Sequence, residues 1–373
     1  MNTKELLAKF HEVASNPLKC KEAYLSEGKK VVLTAPIYTP EEIIHSMGFV
    51  PMAAWGADVE LKQAKTYFPA FICSIMQSIV ELGMNGVYDG VSAIVIPSLC
   101  DSLKVLGENW KYAVPSIPFI PMTYPQNRKP AYAKDFVKAG YERVIKDLEK
   151  ATGETFDDEK LKASIVVYNE HNKVMRKLTK ILAGHPEISA MERSDIYKSA
   201  GFMAKEDHTA LVNALIEALE KEESNVEKIK IMTSGILADS PSLLSMIEEN
   251  GFQIVVDDVA AESRQYRTDA PEAETGMDSL AQKFCDMDNC SVLYDVEKKR
   301  VNKIVEQAKE YGAKGVLVIL TKFCDPEEFD YPLIKRACEA ADLPVLLVEV
   351  DRQMTNYEQA RTMLEGFKDM LDA

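Results

Sequence analysis

Two stretches of this chain alternate short apolar runs with amphipathic ones, and in each a cysteine stands at a strand-to-helix junction. Val91–Leu99 (VSAIVIPSL) leads straight into Cys100 and then Asp101-Ser102. Gly315–Phe323 (GVLVILTKF) leads into Cys324 and then Asp325-Pro326-Glu327-Glu328. Continuous apolar runs of this length read as strands buried on both faces. Acids and proline directly after them open helices. Repeated βα units leave few architectures, and the simplest is a parallel sheet with helices on both faces. Ligands of such sheets bind beyond the carboxyl ends of the strands. A helix N-terminus at that place also favours negative charge, a thiolate included.

The first βα series runs through Lys29–Thr34, a helix opening at Pro40-Glu41-Glu42, Phe49–Ala54, a helix over 69–84, strand 91–96, helix 102–112 and strand 117–121. From Ala131 to Glu223 strand signals mostly stop, and four amphipathic helices are predicted at 131–151, 158–183, 189–200 and 206–222. A second series follows, with strands at 228–233, 252–257, 315–320 and 344–350 and helices opening at Asp239-Ser240-Pro241, near 297–311, at 331–341 and at 355–371. The expected organisation is a helical segment 1–28, a first α/β domain 29–130, a helical block 131–226 and a second α/β domain 227–373. Two halves that each carry a strand-terminal cysteine suggest a duplication.

Charge and cysteine usage narrow the function. With 44 basic against 59 acidic residues the net charge is −15, and no basic patch interleaves with aromatics, which argues against nucleic-acid binding. No run approaches the roughly 18 apolar residues of a membrane span, and MNTKELLAKFHEVASNP lacks a signal peptide's apolar core. A cytoplasmic location is therefore expected. Seven cysteines at irregular spacing fit free or metal-bound thiols better than a disulfide framework.

A third thiol, Cys73 in PAFICSIMQS, lies near the start of an apolar helix. Together with Cys100 and Cys324 it could hold one soft-metal cofactor across an interdomain cleft. The clustered spacings of zinc ribbons and bacterial ferredoxins are absent. On position alone, buried thiols acting as small hydrophobes explain these cysteines equally well. Cys338, Cys20, Cys285 and Cys290 read as structural. Thr233-Ser234-Gly235 could cradle a phosphate but fits an ordinary tight turn better. Asp257-Asp258 with Glu262 and Arg264 could face a cleft or form a cap and salt bridge. Tyr124-Pro125-Gln126-Asn127-Arg128 follows a strand and could meet a ligand or a partner chain, or be a solvated loop. The histidines at 11, 45, 171, 185 and 208 are scattered and receive no role.

At YFPAFICSIMQS, IPSLCDSLK and KFCDPEEFDYP the chain resembles the 2-hydroxyacyl-CoA dehydratases, which are related to benzoyl-CoA reductases. IYTPEEIIHSMGFVPMAAWG, YPQNRK, VYNEHNKVMR and DDVAAESRQYRTD extend the resemblance over nearly the whole length. It is greatest to the smaller, β-type subunits, among them those acting on 2-hydroxyisocaproyl-CoA or phenyllactyl-CoA. The family usually has histidine before the Pro-Gln pair, where this chain has Tyr124.

The resemblance implies two Rossmann- or flavodoxin-like parallel-sheet domains joined by a helical block. It implies a [4Fe-4S] cluster in the cleft between them, ligated by Cys73, Cys100 and Cys324, with a non-protein ligand on the fourth iron. The implied reaction is a hydro-lyase reaction: oxygen-sensitive loss of water from an (R)-2-hydroxyacyl-CoA to give the (E)-2-enoyl-CoA. The family's β-proton is not acidic, so one electron from a homodimeric iron–sulfur ATPase activator forms a ketyl radical anion that expels hydroxide. The implied heterodimer partner is a larger α-type subunit that binds the acyl-CoA, while this chain relays the electron; no catalytic acid or base is assigned here. Two alternatives stand beside this reading: a self-sufficient homomeric dehydratase or reductase-like protein, and a cluster-free scaffold subunit.

Overall fold

The apolar runs form two separate sheets of identical topology. In the computed structural model, which describes residues 1–372, the helices Thr3–Ser15 (α1) and Pro17–Ser26 (α2) come first. They are followed by β1 (Lys30–Thr34), α3 (Glu41–Ser46), β2 (Phe49–Ala53), α4 (Ser74–Met84), β3 (Ala93–Pro97), α5 (Asp101–Ala113) and β4 (Phe119–Met122). The helical block is α6 (Ala133–Thr152), α7 (Asp158–Leu182), α8 (Ala190–Ser199) and α9 (Lys205–Leu219). The second series is β5 (Ile229–Gly235), α10 (Pro241–Glu249), β6 (Phe252–Val259), α11 (Gly276–Asp286), α12 (Lys299–Glu310), β7 (Gly315–Thr321), α13 (Asp325–Glu339), β8 (Val345–Val350) and α14 (Glu358–Asp372).

Strand order is β2-β1-β3-β4 in one sheet and β6-β5-β7-β8 in the other, and every pairing is parallel. The architecture is thus α/β with two flavodoxin-like sheets. In each sheet the strand order reverses between the first and third strands, and a crevice opens beyond the carboxyl ends at that point. β3 and β7 occupy the same place in their sheets, so Cys100 and Cys324 are topologically equivalent.

The apolar contacts cross the boundaries drawn from sequence. α11 follows β6 in the chain, yet Met277, Leu280, Ala281 and Phe284 join the core of the first sheet. α1 buries Leu6, Leu7 and Phe10 against α7, α8 and α9. The second sheet has a core on each face, one including Leu243, Ile247 and Phe367, the other Ile304, Ile334 and Cys338. Among the described residues no helix is long and apolar enough to cross a membrane.

Three elements differ from the sequence expectation. The helix expected over 69–84 begins only at Ser74, because the backbone at Cys73 is non-helical (ψ 128°) and makes this residue the N-cap. The helix expected at 331–341 starts six residues earlier, at Asp325, and continues through Pro332. Helix α11 has no counterpart in the sequence expectation, since it begins at Gly276 in a polar surround, whereas α2 falls inside the helical segment expected over 1–28.

Glu81, the one charged residue of α4, is 1% exposed. It accepts the backbone N–H groups of Lys62 (3.1 Å), Gln63 (2.9 Å) and Ala64 (2.8 Å) and so ties the 55–73 segment to α4. Removing a carboxylate that satisfies one buried and two part-buried amides leaves those donors without it, and Glu81→Ala should cost about 3 kcal/mol. A shift in the denaturation midpoint at constant slope measures this. A loss below about 1 kcal/mol would show that water replaces the carboxylate without penalty.

Candidate cofactor site

Each of the three cysteines occupies the N-cap position of a helix, without a capping hydrogen bond from its side chain. Cys73 is the N-cap of α4, Cys100 of α5 and Cys324 of α13. An N-cap residue lies beside backbone N–H groups that have no intrahelical partner and beside the positive end of the helix dipole. The amides of Ile75 and Met76 act in this way on Cys73, those of Ser102 and Leu103 on Cys100, and that of Glu327 on Cys324, each favouring the thiolate.

All three thiols line one cleft of about 590 Å3, walled by Pro36, Ile37 and Trp55 on one side and by residues 291–296 on the other. They lie within electrostatic reach of one another: Cys100 acts on Cys73, and both act on Cys324. Burial dominates their acidity. It pushes the Cys73 thiol up to about 12 and raises Cys324 well above its ordinary value, with Glu327 adding to the effect. Cys100 is raised for the same reason, with Asp101 and Asp325 contributing. Among the described residues no group of three or more His, Cys, Asp or Glu side chains is placed to hold a metal ion. The thiols stand around a space instead of converging on a point.

The floor under Cys324 is a buried ion network. Glu327, in the first turn of α13, accepts from Arg300 (2.7 Å), Arg264 (3.2 Å) and Ser291 (2.7 Å). Asp258 at the end of β6 pairs with Arg264 (3.1 Å), Arg267 (2.7 Å) and Arg300 (2.7 Å). Arg300 also reaches Asp330 at 3.0 Å. Asp257 and Glu262 pair instead with Arg193. The acidic and basic residues after β6 therefore form salt bridges, and Arg264 anchors the 290–291 segment by donating to Ser291 Oγ at 3.1 Å.

The Tyr124–Arg128 loop is solvated only at its middle: Gln126 and Asn127 are exposed, while Tyr124 and Arg128 are buried. Arg128 is buried and donates to the carbonyls of Met287 and Tyr294, both at 2.7 Å, which fixes the 287–294 segment that edges the cleft. Gln126 lines the cleft. The Tyr124 hydroxyl donates to the Tyr38 carbonyl at 2.5 Å, and its ring stacks on Phe284 at 3.9 Å. Thr233-Ser234-Gly235 is the end of β5; a Cβ on Gly235 would stand 2.2 Å from the Ile319 carbonyl oxygen, so the glycine serves strand packing.

Cys285, Cys290 and Cys338 are buried and do not line this cleft, and Cys20 is half-buried. Across the two sheets, Arg352 pairs with Asp58 (3.1 Å) and Asp239 (3.0 Å), and its amide donates to Ser74 Oγ at 3.1 Å, next to Cys73.

The family model described as 2-hydroxyglutaryl-CoA dehydratase, D-component, matches residues 36–371. The chain belongs to this family. It is thus a subunit of the dehydratase, or hydro-lyase, class. The (R)-phenyllactyl-CoA dehydratase beta subunit of Clostridium sporogenes is 45% identical over 99% of this chain and 100% of its own length. The lactoyl-CoA dehydratase subunit beta of Anaerotignum propionicum is 39% identical over 98% of each chain. The (R)-2-hydroxyglutaryl-CoA dehydratase subunit beta of Acidaminococcus fermentans is 33% identical over 98% of this chain and 99% of its own. The end-to-end matches to proteins named as beta subunits group this chain with the β-type members of the family.

Proposed function

We propose that this chain is the β-type subunit of an (R)-2-hydroxyacyl-CoA dehydratase and that Cys73, Cys100 and Cys324 hold a [4Fe-4S] cluster. The observation that carries the reading is the meeting, in one cleft, of three thiols that stand at helix N-cap positions. A four-iron cluster takes its thiolates at separate corners, so thiols spaced around a volume suit it better than they suit a single ion. When bound, the cluster supplies one-electron chemistry.

The chain's own residues set the conditions for that group. Three helix N-termini aim positive potential at the cleft and partly offset the burial that raises the thiols, and a bound cation would complete the shift to the thiolates that ligation requires. Leu99, Leu293, Phe323 and Phe329 make part of the wall apolar, the two phenylalanines standing exposed at its surface. The Arg264–Glu327–Arg300 network fixes the first turn of α13, and with it the Cys324 thiol. No residue of this chain is assigned to move the substrate protons. That step, with the acyl-CoA itself, belongs in this reading to a larger α-type partner, and a homodimeric iron–sulfur ATPase supplies the electron.

Anaerobic reconstitution tests the reading. Enoyl-CoA should form from (R)-2-hydroxyacyl-CoA only when this chain, the larger subunit, the ATPase and ATP are all present. Full turnover from this chain and the ATPase alone would favour a self-sufficient enzyme. Undiminished turnover with an iron-free form of this chain would favour a scaffold.

A further inference from the structure

Behind Pro36, Ile37 and Trp55, which also wall the cysteine cleft, lies a second chamber of about 140 Å3. That is space for roughly five water molecules, or for one small substituted benzene ring. Its wall is rich in aromatic rings, among them Tyr168, Tyr197, Phe202 and Tyr266.

The charged groups of the wall are already matched. Lys205 pairs with Glu41 (3.1 Å), Lys283 with Glu42 (2.6 Å) and Lys198 with Asp239 (3.6 Å). Glu262 has Arg193. No cation is left over to draw in an anion, and an unpaired charge entering such a space would be costly.

The hydrogen-bonding groups are not all matched. His208 Nε2 lies 3.0 Å from the Ile196 carbonyl oxygen, which can only accept, so Nε2 carries the hydrogen. In the neutral ring His208 Nδ1 is then an acceptor, and His171 Nε2, 3.0 Å away, must be the donor. The remaining nitrogen of His171, Nδ1, is left with a lone pair and no partner among the described residues. His171 is 1% exposed, and its ring lines the chamber. Burial, with Lys205 and His208 beside it, holds His171 well below its ordinary value, and burial brings His208 down to about 3, so both rings are neutral. The Tyr266 hydroxyl likewise finds no partner among the described residues; its ring meets the His171 ring edge-on at 5.3 Å.

We infer that this chamber is a binding site for a small neutral phenol or aryl alcohol, whose hydroxyl donates to His171 Nδ1 and accepts from Tyr266 while its ring lies among the aromatic walls. The site is separate from the three cysteines and does not depend on a cluster.

The test is binding of p-cresol to the full chain, followed by calorimetry or ligand-observed NMR, with 4-methylanisole and phenylacetate as comparators. Saturable binding of p-cresol at roughly millimolar affinity or tighter is expected for a ligand of this size. His171→Phe and Tyr266→Phe should each weaken it about fivefold or more, the effect of one lost hydrogen bond. 4-Methylanisole, which keeps the ring but lacks the donor, should bind more weakly to the unaltered chain, and this arm holds even if His171→Phe fails to fold. Absence of saturable binding, affinity unchanged in Tyr266→Phe with equal binding of 4-methylanisole, or preference for phenylacetate would each overturn the assignment.

Discussion

Replacing Cys324 by alanine is expected to strip iron and acid-labile sulfide from the anaerobically purified chain while leaving it folded. A cluster bound through three protein thiolates loses a corner, and the anionic site loses one of its three N-cap ligands. About four irons per chain should fall below one. Cys73→Ala and Cys100→Ala should behave alike, because each thiol stands at the N-cap of a different helix and none stands in for another. Cys338→Ala is the control: Cys338 is buried in the core beside β7 and should leave iron content unchanged. Far-ultraviolet circular dichroism and gel filtration separate loss of metal from loss of fold. Equal iron in all four variants would remove the three cysteines from the site.

The second large effect concerns Asp258. It is fully buried and accepts from three guanidinium groups and from Ser234 Oγ. Asp258→Asn leaves these cations without their shared counter-charge, and breaking a buried pair of this kind costs about 3–5 kcal/mol. The pH dependence should change as well. Burial alone would raise the Asp258 carboxyl, but Arg264, Arg300 and Arg267 outweigh it and hold the group well below the usual carboxylate range. Glu327 is held down in the same way, burial being outweighed by Arg300 and Arg264. A carboxyl depressed in the folded state adds stability in full above its unfolded value of about 4, and that stability fades as pH falls below it. The native chain should therefore lose stability steeply in acid, and the Asp258→Asn variant should lose less over the same interval. Chemical denaturation at pH 7 and at stepwise lower pH reads both numbers. A variant as stable as the native chain at neutral pH would show that the arginines are solvated when Asp258 is gone.

The parts of the site that local pattern encodes were legible in the sequence. The strand-to-helix junctions at Cys100 and Cys324 were legible because an apolar run ended at each and acids followed at once, and the structure puts both at N-caps after equivalent strands; position alone did not separate ligands from small buried hydrophobes. Cys73 was placed near a helix start, although the helix begins later than its apolar periodicity suggested; periodicity marks a face, and the cap decides where the helix starts. The Asp257–Arg264 segment left open whether its charges face a cleft or pair with each other, and pairing won because Arg193 and Arg300, distant in sequence, complete the network. The aromatic chamber had no local signature. Glu41, His171, Lys205 and Tyr266 come from different segments, and the His171–His208 contact joins two helices of the block. A lone histidine on a helix carries no sign of which nitrogen will be left unpaired. The packing of α11 onto the first core was hidden for a similar reason, since chain order places it in the second series.

The most direct test of the central claim is iron and acid-labile sulfide analysis of the anaerobically purified chain, read together with its Mössbauer spectrum. The account predicts about four irons and four sulfides per chain, with one iron distinguishable from the other three because it lacks a protein thiolate. A chain that stays folded and free of iron under strict exclusion of oxygen would contradict it.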